Sequence, residues 1–185
     1  MNKMSSVKRS SICAMCIALC YVLPLAFHAL AAGSMLSPMH IPVLLCGIIC
    51  GPGYGAFCGI AGPVLSSVLS GMPSTTGLIA MVPELLTYGL VCGLLMKLIH
   101  TKNLMLDIYI SMIPAMIAGR LMGGIADALF YLRTTGEYSI AMFVSSYLIG
   151  SLPGIIAQLI LVPALTFTLE KARAIPVRYQ KLKQE

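Results

Sequence analysis

Three ionisable side chains stand inside long apolar stretches of this chain: Glu84, Arg120 and Asp127. Each charge placed at the centre of a bilayer costs about 2.5–3.5 kcal/mol on insertion scales, so such groups face a protein interior or a water-filled cavity. Arg120 and Asp127 are seven residues apart, two turns along one helical face. Gly124 lies between them and Tyr131 one turn beyond, forming a stripe of Arg120, Gly124, Asp127 and Tyr131. Glu84 and Tyr88 share a face at the i, i+4 spacing. His40 opens another apolar run, and Tyr147 lies in the last one. Acids, a base, a histidine and tyrosines together can hold a small polar solute, either sign of charge being available. The same groups also allow a structural pairing of Arg120 with Glu84 or Asp127.

The elements that position these residues are helices in a membrane. Of 185 residues, 58% are hydrophobic and 10% are charged. A soluble domain of this size cannot cover so much apolar surface. The apolar stretches have helical length, and the alternation expected of a membrane barrel is absent. The expected fold is therefore an all-α membrane protein of six transmembrane helices in a single domain over residues 1–185. The spans fall at about residues 11–32, 41–51, 53–70, 77–99, 106–132 and 139–169. The second is short, because Gly51-Pro52-Gly53 breaks the run after about ten residues. At roughly 1.5 Å per residue it crosses only half a bilayer, so it must tilt inside a protein shell or re-enter.

Charge sets the expected orientation. The net charge is +6, and ten of the twelve Lys and Arg lie in the N-terminus, near Lys97–Lys102, or after Glu170. Basic flanks of this kind mark cytoplasmic loops, so both termini are expected inside, and nucleic acid is not the partner. On this topology Glu84, Asp127, His40 and Tyr147 fall in the outer half and Arg120 near the middle. That asymmetry predicts a polar pocket open to the outside rather than a through-pore.

Small residues four apart recur: Gly51-Gly55-Gly59, Gly89-Gly93, Ala115-Gly119-Gly123 and Gly150-Gly154. In lipid they let helix backbones approach closely, inside the chain or against another subunit, and Ala14 and Ala18 form a similar pair on the first helix. The seven cysteines all fall in apolar segments and read as packing residues. No zinc-ligand spacing appears, and no metal site is expected. Motifs for nucleotide hydrolysis, metalloproteolysis and serine hydrolysis are missing, so no enzymatic site is expected. Any uphill transport must draw on another subunit or on an ion gradient.

With these residues in view, the sequence resembles the substrate-binding S component of energy-coupling factor (ECF) vitamin transporters, most closely the branch of riboflavin, folate and pantothenate binders. The resemblance covers nearly the whole chain. It rests on the six-span plan, the Pro38-Met39-His40-Ile41-Pro42 entry, the Gly51-Pro52-x-Tyr54-Gly55 corner, the Gly71-Met72-Pro73 loop and Glu84-Leu85-x-x-Tyr88-Gly89. It implies high-affinity binding of a vitamin or precursor in the outer half, under the loops at residues 34–40 and 71–76. Substrate-binding residues would be His40, Glu84, Tyr88, Arg120, Gly124, Asp127, Tyr131 and Tyr147. It implies docking through Ala14 and Ala18 on a transmembrane scaffold subunit driven by two ATPase subunits. ATP would be hydrolysed there, with no cofactor in this chain, and the setting would be a bacterial plasma membrane. Without tryptophan, stacking on a ligand falls to Tyr or Phe. Two other functions are compatible with the residues alone: an autonomous proton-coupled transporter using Glu84 or Asp127, and a membrane scaffold subunit that binds no solute.

Overall fold

The computed structural model describes residues 5–29, 38–134 and 150–172, with positions 139, 145, 147 and 175. Most of the first predicted capping loop, the predicted outer loop before residue 139, much of the start of the sixth predicted span and the end of the basic tail lie outside the described residues.

Among the described residues the fold is all-helical: α1 (Ser6–Ala29), α2 (His40–Cys50), α3 (Pro52–Ser70), α4 (Thr75–Leu98), α5 (Leu104–Thr134) and α6 (Leu152–Lys171). Five of these are long and apolar enough to cross a membrane, and α2 is a short apolar helix. The bounds sit within a few residues of the expected ones except at two places. α1 begins earlier, where the Ser5 hydroxyl accepts the Lys8 amide at 3.3 Å and caps the helix. α6 is described only from Leu152.

The broken run at residues 41–70 becomes a tight helical hairpin. Gly51 takes a positive φ of 98°, Pro52 supplies the first turn of α3, and α3 folds back along α2. Ten of the eleven α2 residues are buried. α2 is enclosed by α1, α3, α4 and α6. A helix apolar on every side belongs in an interior, and this is how half a bilayer's length of helix is accommodated.

The hairpin closes on α4 through glycines. A β-carbon on Gly55 would sit 2.5 Å from the Gly89 carbonyl oxygen and 2.7 Å from the Gly47 Cα. One on Gly59 would strike the Leu85 carbonyl, and one on Gly93 would lie 2.6 Å from the Pro52 nitrogen. Gly47, Gly55, Gly59, Gly89 and Gly93 therefore form intramolecular seams between α2, α3 and α4. The α1 stripe of Cys13, Cys16 and Cys20 faces inward, while Ala14, Met15, Ala18 and Leu19 face outward.

The outer surface is apolar. Phe57, Val68, Ile117, Leu129, Ile156 and Ile160 are each more than half exposed. Water would penalise such a surface. A hydrocarbon layer would not, and the chain is a multi-pass membrane protein.

Candidate functional site

The site lies at one end of the bundle because consecutive helices run in opposite directions. The start of α2, the first half of α4, the second half of α5 and the chain entering α6 all meet there. They enclose a cavity of about 380 Å³. Its wall includes His40, Glu84, Arg120, Asp127, Tyr131 and Tyr147, with Ser151 beside them. Its rim includes Ser74, Thr76 and Gly77 at the α4 N-terminus.

Local structure holds that rim in place. α3 ends on Gly71 with φ 71°, its amide bonded to the Ser67 carbonyl at 2.9 Å. The Ser66 and Ser67 hydroxyls then donate to the Met72 and Pro73 carbonyls at 2.8 and 2.9 Å. Ser74 caps α4, its hydroxyl accepting the Gly77 amide at 3.3 Å. The rim therefore carries the positive end of the α4 dipole.

Deeper in, His40 Nε2 lies 3.2 Å from Glu84 Oε1, and both side chains are buried. The His40 ring meets the Tyr88 ring edge-on at a centroid distance of 5.0 Å. Tyr88 is fully buried, and its hydroxyl lies within the influence of both the Arg120 guanidinium and the Glu84 carboxylate. On the opposite wall the Tyr147 hydroxyl donates to Asp127 Oδ2 at 2.7 Å. Arg120 Nη1 donates to the Tyr147 carbonyl at 2.5 Å and to the Ser151 hydroxyl, which itself donates to that carbonyl at 2.5 Å. Arg120 thereby ties α5 to the segment entering α6.

Small residues bring these walls together. A β-carbon on Gly123 would lie 3.1 Å from Glu84 Cβ and 3.1 Å from Tyr147 Cε1. One on Gly119 would lie 2.8 Å from the Tyr88 ring. The Ala115-Gly119-Gly123 ladder is thus the face on which the Glu84 and Tyr88 side chains rest.

Six of the eight binding residues expected from the sequence line the cavity: His40, Glu84, Arg120, Asp127, Tyr131 and Tyr147. Tyr88 lies behind His40, and Gly124 is buried outside the lining. The possible ion pair of Arg120 with Glu84 or Asp127 is not what forms. Among the described residues the one acid–base side-chain contact within 4 Å is His40 with Glu84, and Tyr147 serves Asp127 instead.

Sequence reasoning missed Ser151, Ala80, Met81 and Phe130 in the lining. For Ser151 a signal existed, since it follows Tyr147 by one helical turn. Asp107 was also missed. It is fully buried at the far end of the bundle, where Oδ1 accepts the Thr101 amide at 2.9 Å and the Thr101 hydroxyl at 2.5 Å. Among the described residues no group of His, Cys, Asp or Glu is arranged to hold a metal ion.

Residues 8–169 match the family model described as "ECF transporter, substrate-specific component". No curated protein and no solved structure matches the chain.

Proposed function

The chain belongs to the family of ECF transporter substrate-specific components, and on that premise we propose that its cavity binds a small vitamin or vitamin precursor for an ATP-driven importer. The protein is a transport subunit and not an enzyme. The observation that carries the reading is the cavity itself. It is lined by α2, α4, α5 and the segment entering α6 at one end of the bundle, near the lower end of the roughly 300–1,000 Å³ usual for small-molecule sites, and its polar groups converge on it. His40, Glu84, Arg120, Asp127, Tyr131 and Tyr147 contact the solute directly, with Tyr88 and Gly124 supporting them.

In this reading a transmembrane scaffold subunit and two ATPase subunits supply the energy. The exposed Ala14 and Ala18 on α1 form the docking face, where small side chains allow close approach of a second membrane helix. The chain works in a bacterial plasma membrane with both termini in the cytoplasm and the cavity toward the outside.

Protein purified alone in detergent is expected to release a stoichiometric small molecule on denaturation, identifiable by mass spectrometry. Adding that molecule back is expected to raise the melting temperature. Ala14→Arg and Ala18→Arg are expected to keep this binding and to lose co-purification with the scaffold and ATPase subunits. Uptake by the lone protein, abolished by an uncoupler, would refute the ATP-driven assignment. A protein that carries and binds no solute would refute the binding function itself.

A further inference from the structure

The charges around the cavity are unequally served. Glu84 has His40 Nε2 at 3.2 Å, and Asp127 has the Tyr147 hydroxyl at 2.7 Å. Each carboxylate therefore already holds a donor from the protein. Arg120 does not have the equivalent. Its short hydrogen bonds among the described residues come from Nη1 and end on neutral oxygens, the Tyr147 carbonyl and the Ser151 hydroxyl, and the neutral Tyr88 hydroxyl also interacts with it. Its buried Nε has no partner, and no ion pair reaches it among the described residues. Yet Arg120 is only 7% exposed and lines the cavity. A guanidinium removed from water without a counter-charge is strongly disfavoured, whereas one that meets an anion on binding regains that loss.

Resting on the solute-binding reading above, we propose that the solute carries a carboxylate that docks on Arg120. The anion completes the guanidinium's unfinished hydrogen bonding, and a charge-assisted bond of this kind is about twice as strong as a neutral one. The α4 N-terminus at the rim adds positive potential in the same direction. Glu84 and Asp127 select against a larger negative charge. One guanidinium balances a single carboxylate, while a phosphate monoester dianion would face two carboxylates with one cation between them. A cationic solute would have to share carboxylates that already meet His40 and Tyr147. The polar remainder of the solute meets Tyr131 and the other polar groups of the lining.

The test compares matched acids and neutral twins on the purified protein by thermal shift and equilibrium binding: nicotinate with nicotinamide, pantothenate with panthenol, and biotin with biotinamide. Thiamine serves as the cation and pyridoxal 5′-phosphate as the phosphate dianion. The molecule released from the protein on denaturation is identified alongside. The expected result is binding of an acid, or release of one, with its neutral amide or alcohol at least about thirty-fold weaker. Arg120→Gln is expected to erase that discrimination, and Arg120→Lys to retain part of it. The wild-type comparison needs no variant, so a misfolded Arg120→Gln does not spoil the test. A neutral, cationic or phosphate-bearing solute that binds best, or an acid affinity unchanged in a folded Arg120→Gln, overturns this inference and leaves the solute-binding function standing. A protein that releases no solute and binds none overturns both.

Discussion

Replacing Gly55 by alanine is expected to loosen the helical hairpin from α4, and replacing Gly53, half a turn earlier, is expected to tighten the protein. The new β-carbon at position 55 would stand 2.5 Å from the Gly89 carbonyl oxygen, about 0.9 Å inside ordinary contact, with the Gly47 Cα at 2.7 Å on another side. Both obstacles are backbone, so no side chain can swing away, and α3 must part from α2 and α4. Overpacking of a close-packed site costs about 1–3 kcal/mol, and a β-carbon blocked by backbone on two sides belongs at the upper end. Alanine returns up to about 1 kcal/mol through its better helix propensity. The net loss is roughly 2 kcal/mol. At about 2–4 °C per kcal/mol for a chain of this size, the melting temperature falls by about 4–8 °C. A β-carbon on Gly53 meets nothing within 4 Å. That variant keeps only the propensity gain, a rise of up to about 2–4 °C. A thiol-reactive fluorophore can follow unfolding in detergent, because all seven cysteines are free and buried. Equal shifts in the two variants would refute the claim that backbone contact at Gly55 sets the α3–α4 distance.

Two further substitutions probe the polar groups at opposite ends of the bundle. Glu84→Gln replaces the carboxylate in a buried hydrogen-bonded contact with His40, and leaving a buried polar group unsatisfied costs about 1–3 kcal/mol. The double variant His40→Gln/Glu84→Gln is expected to lose clearly less than the two single losses added together; strict additivity in thermal unfolding would mean that the 3.2 Å contact carries no coupling. Asp107→Ala deletes the buried acceptor of two Thr101 hydrogen bonds, at about 1.5–3 kcal/mol for a bond to a charged group. It is expected to lower stability while leaving solute affinity unchanged, since thirteen residues of α5, roughly 20 Å of helix, separate it from Arg120. A loss of affinity at unchanged melting temperature would show that the two ends of the bundle are coupled.

The helices and their seams were legible because each depends on local chemistry. Apolar length announced the spans, Gly51-Pro52-Gly53 announced the corner, and glycines four apart announced faces that could touch. The polar stripe on α5 and the Glu84–Tyr88 face followed from helical periodicity, so Glu84, Arg120, Asp127 and Tyr131 of the cavity lining could be named from spacing alone. Periodicity also drew in Gly124, which shares the stripe but turns out to be buried outside the lining.

Pairing across helices was not legible in the same way. A single sequence orders residues along each helix but carries no measure of how helices rotate against one another. A rotation of a few tens of degrees decides whether Arg120 meets Glu84, Asp127 or neither. The structure hands Glu84 to His40 and Asp127 to Tyr147, and leaves Arg120 on a carbonyl and a hydroxyl. The enclosure of α2 has the same character. Its brevity can be read from Gly51-Pro52-Gly53, but the shell that makes a half-length helix tolerable is built from α1, α3, α4 and α6 together. Composition and periodicity thus specify a helical membrane protein with charges on inward faces. Only the packed bundle decides which partner each of those charges meets, because that depends on distances of a few ångströms between segments far apart in the chain.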